Sequence, residues 1–496
     1  MRYIIGLDIG TTSAKTVIFN KKGHVISEHE EGYDLLHSAP EYAEQDGEAI
    51  NTAAMDSVRL ALEKGSIKSK DVIGVGLSSA MHSLLCVDKQ GRALSPSITW
   101  ADRRSVNEAE YLKDNHSTVY LRTGTPLHPM SPLSKLIWMK NHHYEPYQKA
   151  YKYVSIKEYV LYRWFGEFVV DYSVAASSGM YDIHKQDWDE TSLKLAGISR
   201  DQLSRVVPAT HEMKGLSKEA SDLTGLASST PFIIGGSDGP LANLGIGAIE
   251  PGETAVTIGT SGAIRQFASI PAVDEKQDVF CYSFTEDLWI TGGPTNNGGI
   301  VLNWLKDLFS NEGYSLSFDQ LNHMAARVKP GSEGLLFLPY LNGERAPFWD
   351  ASAKANFIGL RSTHGKEHMV RAGMEGVIYS IYHIAHELER LGHSHDALYA
   401  SGGFARSPLW TQMLSDVFGK PVHIPKSHQS SAWGAAWTAL YSLGEVPSLH
   451  SIKTSIPMNE TIEPNQANYQ TYQQTFKIYK ELYPAIMKQL KQLQSI

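Results

Sequence analysis

The chain has 496 residues, 42% of them hydrophobic, and a formal charge of −8 in which acidic and basic residues are mixed. That length is long for one core and comfortable for two large domains, and the absence of a basic stripe argues against a nucleic-acid partner. No apolar run approaches the roughly 18 residues of a membrane span, Asp8 breaks the first apolar stretch too early for a signal peptide, and two cysteines, Cys86 and Cys281, allow at most one bridge, which points to a reducing cytosol.

The first elements are strands. IIGLDIGTTSAKTVIF, residues 4–19, predicts strands over 3–8 and 14–19, because β-branched and aromatic residues suit a pleated surface. The turn between them carries Gly10, Thr11, Thr12 and Ser13. Glycine admits close backbone approach, and successive amides and hydroxyls at such a turn donate to phosphate oxygens. Asp8, at the strand end, is placed to hold a metal ion or its waters. The plainer alternative is a hairpin turn with an incidental aspartate. The loop has no GxxxxGK[ST] pattern, and a strand rather than a helix follows it. A third strand, 24–30, completes an antiparallel meander, and helix 47–64 and strands 72–78 and 84–88 follow.

SSAMHSLLCVD, 78–88, and SITWADRRS, 97–105, gather Met81, His82, Trp100, Asp102 and Arg103. Sugars need such a mixture, because their hydroxyls want partners and their carbon faces pack on aromatics. The plainer reading makes Trp100 core and Asp102–Arg103 a solvated pair. Residues 105–114, 132–142 and 155–165 read as helices. A loop-rich region ends with TPFIIGGSDGPLANLGIGAI, 230–249, where an apolar run leads to Asp238 between glycines. An acid there is open enough to take a proton from a hydroxyl or to touch a metal; an ordinary turn aspartate is the alternative.

The second half repeats the opening design. TAVTIGTSGAIRQFA, 254–268, runs through Gly259, Thr260, Ser261 and Gly262 between two strands. Two such loops suggest two related lobes, 1–247 and 248–496, facing across a cleft. Helix 366–391 contains Gly373 and Gly376, which cost helix stability and make sense where another backbone packs closely. LYASGGFARSPLWTQMLSDVFG, 398–419, reads as strand, Gly402-Gly403 turn and a helix from near Ser407. A flat ligand such as adenine could lie on the glycine pair, although an ordinary strand-to-helix connection has the same pattern. The tail sets Tyr469, Tyr472, Phe476, Tyr479 and Tyr483 on one helical face, expected to dock on its own lobe, with a homodimer contact as the alternative. His142-His143 and His393, His395 and Asp396 offer no convincing metal-ligand set.

Taken together, these motifs resemble the FGGY family of sugar kinases over about residues 3–445. Asp8 to Ser13 with Lys15 resembles the family's first phosphate motif, Gly259 to Gly262 its second, and Ser401-Gly402-Gly403-Phe404-Ala405 its adenosine motif. MSPLSKLIWMKNH, 130–142, resembles the first family signature throughout. NFIGLRSTHGKEHMVRAGMEG, 356–376, resembles the second and departs from it at Gly373, which bears on helix packing rather than chemistry.

The resemblance implies an α/β fold of two ribonuclease-H-like lobes, of the actin and hexokinase ATPase type, around a central cleft. It implies Asp238 as catalytic base, with Asp8 and Asp238 as the carboxylates near Mg²⁺. It assigns phosphate contacts to Thr11, Thr12, Ser13, Lys15, Gly259 and Thr260, and adenosine contacts to Gly299, Asn303, Gly402, Gly403 and Ser407. Met81, His82 and Trp100 fall in the sugar pocket, with Arg103 or His82 as candidates for a substrate carboxylate. AMHS, WADRRS and TGTPLHPMSPLSKL resemble the branch of the family that makes 6-phospho-D-gluconate from D-gluconate. A kinase for xylulose or another pentulose is the alternative within the family. An actin-like ATPase that transfers phosphate to no sugar is the alternative outside it, since fold alone does not fix function. The implied partners are ATP, Mg²⁺ and a small sugar acid or sugar, with no nucleic acid and no membrane; the implied location is the cytoplasm.

Overall fold

The computed structural model describes residues 2–310, 315–426 and 429–493. The chain forms two compact units, and neither is a continuous stretch. The first comprises Met1–Ile249, Phe267–Thr291 and Gln429–Ile456; the second comprises Glu250–Gln266, Gly292–His428 and Pro457–Ile496. In place of one boundary at 247/248, the chain leaves the first unit after Ile249 and later returns to it.

The first unit is built on six strands: β1 (Tyr3–Ile9), β2 (Ser13–Asn20), β3 (Val25–Gly32), β4 (Val72–Ser79), β5 (Glu212–Met213) and β6 (Phe232–Ser237). Their order in the sheet is β5-β6-β4-β1-β2-β3. β1 and β2 form an antiparallel hairpin, while β4 runs parallel to β1 and β6 parallel to β4. Ile4, Ile5, Leu7 and Ile9 are all buried, as a central strand covered on both faces requires. Helix α1 (Gly47–Lys64) covers part of this sheet and starts where the Asp46 carboxylate accepts the amides of Glu48 and Ala49. Of the helices that follow in this unit, those that carry residues near the site include α2 (Pro132–Asn141), α3 (Ile156–Phe165) and α4 (Tyr172–Ala176). α3 begins in a capping box between Ser155 and Glu158, and α4 begins on the Asp171 carboxylate. Asp238 lies in no turn. It opens helix α5 (Asp238–Gly245), which leaves β6 directly.

The second unit repeats the plan. Strands β7 (Glu253–Ile258) and β8 (Gly262–Ala268) make an antiparallel hairpin. With β9 (Trp289–Thr295), β10 (Ala397–Ser401), β11 (Val422–Pro425) and β12 (Met458–Ile462) they stand in the order β9-β8-β7-β10-β11-β12, six of the seven strands of their sheet, whose remaining strand, Phe280–Ser283, lies beside β9. β10 runs parallel to β7, as β4 does to β1. Helices α6 (Ile300–Phe309), α7 (Phe318–Ala326), α8 (Lys366–Arg390) and α9 (Pro408–Phe418) accompany the sheet. The close backbone approach expected at the α8 glycines holds at Gly376, where a Cβ would stand 2.3 Å from the Phe337 carbonyl oxygen. At Gly373 the neighbour is the side chain of Leu305 instead.

Helix α10 (Ser430–Ser442) belongs to the first unit, where it crosses β1, β4 and α5. Its backbone lies so close that a Cβ on Gly6 would be 2.0 Å from Ala432 O, and one on Gly76 would be 1.9 Å from Ala435 O. Helix α11 (Gln466–Leu493) ends the chain in the second unit. Its aromatic stripe is covered by its own unit: Tyr472, Phe476, Tyr479 and Tyr483 are buried. The Tyr472 hydroxyl accepts from Arg371 at 2.7 Å, and that of Tyr483 donates to Asp350 at 2.8 Å. Among the described residues, no helix is long and apolar enough to cross a membrane.

Candidate active site

In the first unit, strand register lines up the polar ends of the sheet. Asp8 on β1 stands beside Ser78 on β4 and opposite Lys15 on β2; Ser78 in turn stands beside Gly236 on β6. These are the carboxyl ends of the parallel strands, where open α/β sheets bind ligands. The Ser78 hydroxyl donates to Asp8 Oδ1 at 2.7 Å. Burial, and next the Asp238 carboxylate, push Asp8 up to about 6; the Ser78 bond and the ammonium groups of Lys15 and Lys157 oppose the shift. Two carboxylates that disfavour one another's charge are relieved by a divalent cation, and their hard oxygens suit Mg²⁺. Among the described residues no group of three or more His, Cys, Asp or Glu could hold a metal. A pair is enough for an ion that keeps waters and substrate phosphates as its other ligands.

The loop after β1 is held from three sides. Gly10 N–H donates to Ser13 O at 2.9 Å, and the Tyr33 hydroxyl to Gly10 O at 2.7 Å. Gln45 donates to the Thr11 carbonyl, and the Trp100 indole to the Thr11 hydroxyl at 3.0 Å. Trp100 is therefore half-buried and tied to the loop rather than plain core. Thr12 is exposed, while Ser13 donates to Glu30 at 2.6 Å, and the Lys15 ammonium lies 3.7 Å from Glu28 and 3.9 Å from Glu30.

The segments expected to line the sugar pocket meet around a lysine absent from the sequence expectations. Lys135, on α2, is fully buried; its Nζ donates to His82 O at 2.6 Å, Thr99 O at 2.8 Å and Ile98 O at 3.4 Å. It joins the segment of Met81 and His82 to that of Trp100. Burial holds its ammonium down at about 7. His82 has the positive φ of 67°, and its Nδ1–H donates to Ser177 O at 2.8 Å. Arg103 is exposed, and the partner of Asp102 is not Arg103 but Arg104. Buried Arg104 donates to both Asp102 oxygens at 2.8 and 2.7 Å and to Glu44 at 2.6 Å, with its guanidinium 3.6 Å from the Tyr42 ring centre. The expected Asp102–Arg103 pair is thus replaced by a buried clamp one residue on. The signal for it is weak: adjacent arginines give no hint of which one turns inward.

The second unit holds a cavity of about 490 Å³. Gly259, Thr260, Gly299, Asn303, Gly403 and Ser407 line it. A Cβ built on Gly259 or Gly403 meets nothing within 4 Å, so both backbones are open to a ligand. The loop is bonded to the start of α6: Gly299 N–H donates to Gly259 O at 2.7 Å and Ile300 N–H to Thr260 O at 3.1 Å. Leu302, Phe404 and Trp410 give apolar walls, and Asn303, Asp319 and Asn322 add polar groups. Asn322 is fixed by the Ser407 hydroxyl at 2.9 Å. Volume and lining suit a nucleoside. Gly402 stands apart from this set. Its φ is +94°, a Cβ there would reach Ile258 O at 2.5 Å, and it lines a separate cavity of about 320 Å³.

Known proteins carry the same architecture. Residues 3–245 match the N-terminal domain of the FGGY family of carbohydrate kinases, and residues 254–443 match its C-terminal domain. A gluconokinase of Bacillus subtilis is 42% identical over 99% of this chain and 97% of its own. A xylulose kinase of the same organism is 30% identical over 97% of both. Among solved structures, a gluconate kinase from Lactobacillus acidophilus superposes with a TM-score of 0.94, at 34% identity over 98% of both chains. A ligand-bound xylulose kinase from that organism gives 0.95 at 33% identity, over 99% of this chain and all of the other.

Proposed function

Since the chain belongs to the FGGY family of carbohydrate kinases, with its two-domain actin- and hexokinase-like fold, we propose that it phosphorylates D-gluconate at the terminal hydroxyl with ATP. The observation that carries the substrate is the 42% identity with a gluconokinase against 30% with a xylulose kinase, each over nearly the whole chain. Structural likeness alone favours neither, because the two neighbours superpose equally well. Xylulose therefore stands as the second reading.

Roles follow unit by unit. The cavity of the second unit takes adenosine through Gly299, Asn303, Gly403 and Ser407, and Gly259 and Thr260 take phosphate oxygens. In the first unit Thr11, Thr12, Ser13 and Lys15 donate to phosphate. Asp238 accepts the proton of the attacking hydroxyl as the new bond forms, which is all a base must do for a loose phosphoryl-transfer transition state. Mg²⁺, held by Asp8 with Asp238 beside it, would neutralise phosphate charge. Met81, His82 and Trp100 enclose the sugar, whose carboxylate must be paired or hydrogen-bonded once buried. Of the two groups proposed for it, His82 is buried among the pocket residues and Arg103 is exposed. Gly402 acts by shaping the loop rather than by touching nucleotide. The two free, buried cysteines fit a cytoplasmic location.

The test is a panel of gluconate, xylulose, ribulose, glycerol and glucose assayed for ATP-dependent ADP release. Gluconate is expected to give the highest kcat/KM. A higher value for a ketopentose or glycerol would discard gluconate and keep the kinase.

A further inference from the structure

Resting on the reading of Asp238 as the base, we propose that Lys157, Asp171 and Ser173 form a buried positioning network for it. The three clamp the Gly236–Ser237 peptide group, one residue before it. Lys157 and Asp171 side chains are only 2% and 1% exposed. Lys157 Nζ donates to Asp171 Oδ2 at 2.8 Å and to Gly236 O at 3.0 Å. Asp171 Oδ1 accepts from the Ser173 hydroxyl at 2.6 Å, and the Ser173 oxygen accepts from Ser237 N–H at 2.7 Å. Gly236 O and Ser237 N are the two polar ends of one planar peptide. Held at both ends, that plane cannot rotate, and Asp238 is the next residue.

A helix cap explains only part of this arrangement. Asp171 does cap α4, through Ser173 N at 3.0 Å and Val174 N at 3.1 Å. Capping requires neither the reach of Lys157 to Gly236 nor the bond from Ser237 to Ser173. A buried ion pair is also weak as a source of stability, because desolvation offsets its attraction. Its bonds run instead to the joint where β6 ends and α5 begins. The packing there is close: a Cβ on Gly236 would lie 3.1 Å from Ser173 Oγ and 3.0 Å from the Phe284 ring.

The test uses the full chain, ATP and whichever sugar gives the highest kcat/KM. Ser173→Ala removes the acceptor for Ser237 N–H and leaves the Lys157–Asp171 pair intact. It is expected to lower kcat by about 10- to 100-fold, the scale of a small misplacement of a catalytic group. KM for ATP and sugar should stay within about twofold, the signature of an interaction used only in the transition state. Made on top of Asp238→Asn, the same change should cost less than about threefold, because nothing is left to position. Lys157→Met should repeat the pattern, with Ser173→Ala decisive if the buried Asp171 prevents folding. Wild-type kcat in Ser173→Ala, or an equal loss in both backgrounds, overturns the network. Near-normal kcat in Asp238→Asn alone overturns the base assignment and the network with it.

Discussion

Single buried charges do much of the organising in this protein, and Lys135 is the clearest case. Its ammonium has three N–H donors and finds three carbonyls, two of them on His82 and Thr99. Lys135→Met leaves those oxygens without a charged donor, a loss of about 1.5–3 kcal/mol or roughly 10- to 100-fold. The loss should fall on KM for the sugar and spare KM for ATP, whose adenosine is proposed to occupy the cavity of the second unit; equal changes in both would discard the role. Burial also holds this lysine at about 7, against an ordinary 10.5. Above about pH 7 the folded protein loses this proton and the clasp loses a donor, so sugar KM should rise with pH in the parent and stay flat in the variant. The unfolded chain keeps the proton up to 10.5, so it binds more protons across that window. Stability from this group therefore rises with pH while substrate binding weakens. Asp8 makes a different prediction, through the metal. Asp8→Ala should lose most activity at limiting Mg²⁺ and regain part of it as Mg²⁺ is raised, because the ion is losing a carboxylate oxygen. A magnesium titration identical to the parent's would remove Asp8 from that role.

At the scale of elements, the sequence was most readable where one period ran unbroken. The hairpin of β1 and β2, helix α1 and the long helix α8 all follow their apolar patterns to within a residue or two of the observed ends. Reading failed at α5, where GGSDGP mimics turn chemistry. Proline is tolerated in the first turn of a helix, so the same letters start a helix once β6 delivers them. The glycines of α8 give a prediction that depends on what each one faces. Gly376→Ala gains about 1 kcal/mol of helix propensity. Its Cβ, however, would meet a carbonyl oxygen at 2.3 Å, a contact that rigid backbone cannot relieve. Overpacking of that kind costs about 1–3 kcal/mol or more, so a net loss is expected. Gly373→Ala meets a leucine side chain that can turn away, so it should cost less. Denaturant midpoints of the two variants decide the matter; equal midpoints would show that the Phe337 carbonyl is free to move.

At the scale of the whole molecule, the duplicated loop was legible and the path of the chain was not. Glycine and hydroxyl clusters are local features, so Asp8 to Lys15 and Gly259 to Gly262 declare themselves in any short window. Lys157, Asp171 and Ser173 act on Gly236 and Ser237, far along the chain, and no local pattern marks that meeting. The same holds for α10, which follows almost the whole second unit in sequence and yet completes the core of the first. Its fit is specific. Gly6 and Gly76 accept its backbone, Gly434 meets Leu241 O, and Trp433 packs on Phe19 with ring centres 4.8 Å apart. A fragment of residues 1–249 would expose those glycine-flattened strands and leave Phe19 without its tryptophan, losing apolar burial at about 25 cal/mol per Å². Marginal stability cannot absorb so large a loss. The fragment is therefore expected to lack a cooperative urea transition and fixed near-ultraviolet circular dichroism, whereas residues 1–456, which include α10, restore both signals for the first unit. A fragment of 1–249 that unfolded cooperatively would mean that α10 is an addition to a core already complete, and the interleaved path of the chain would then have no energetic basis.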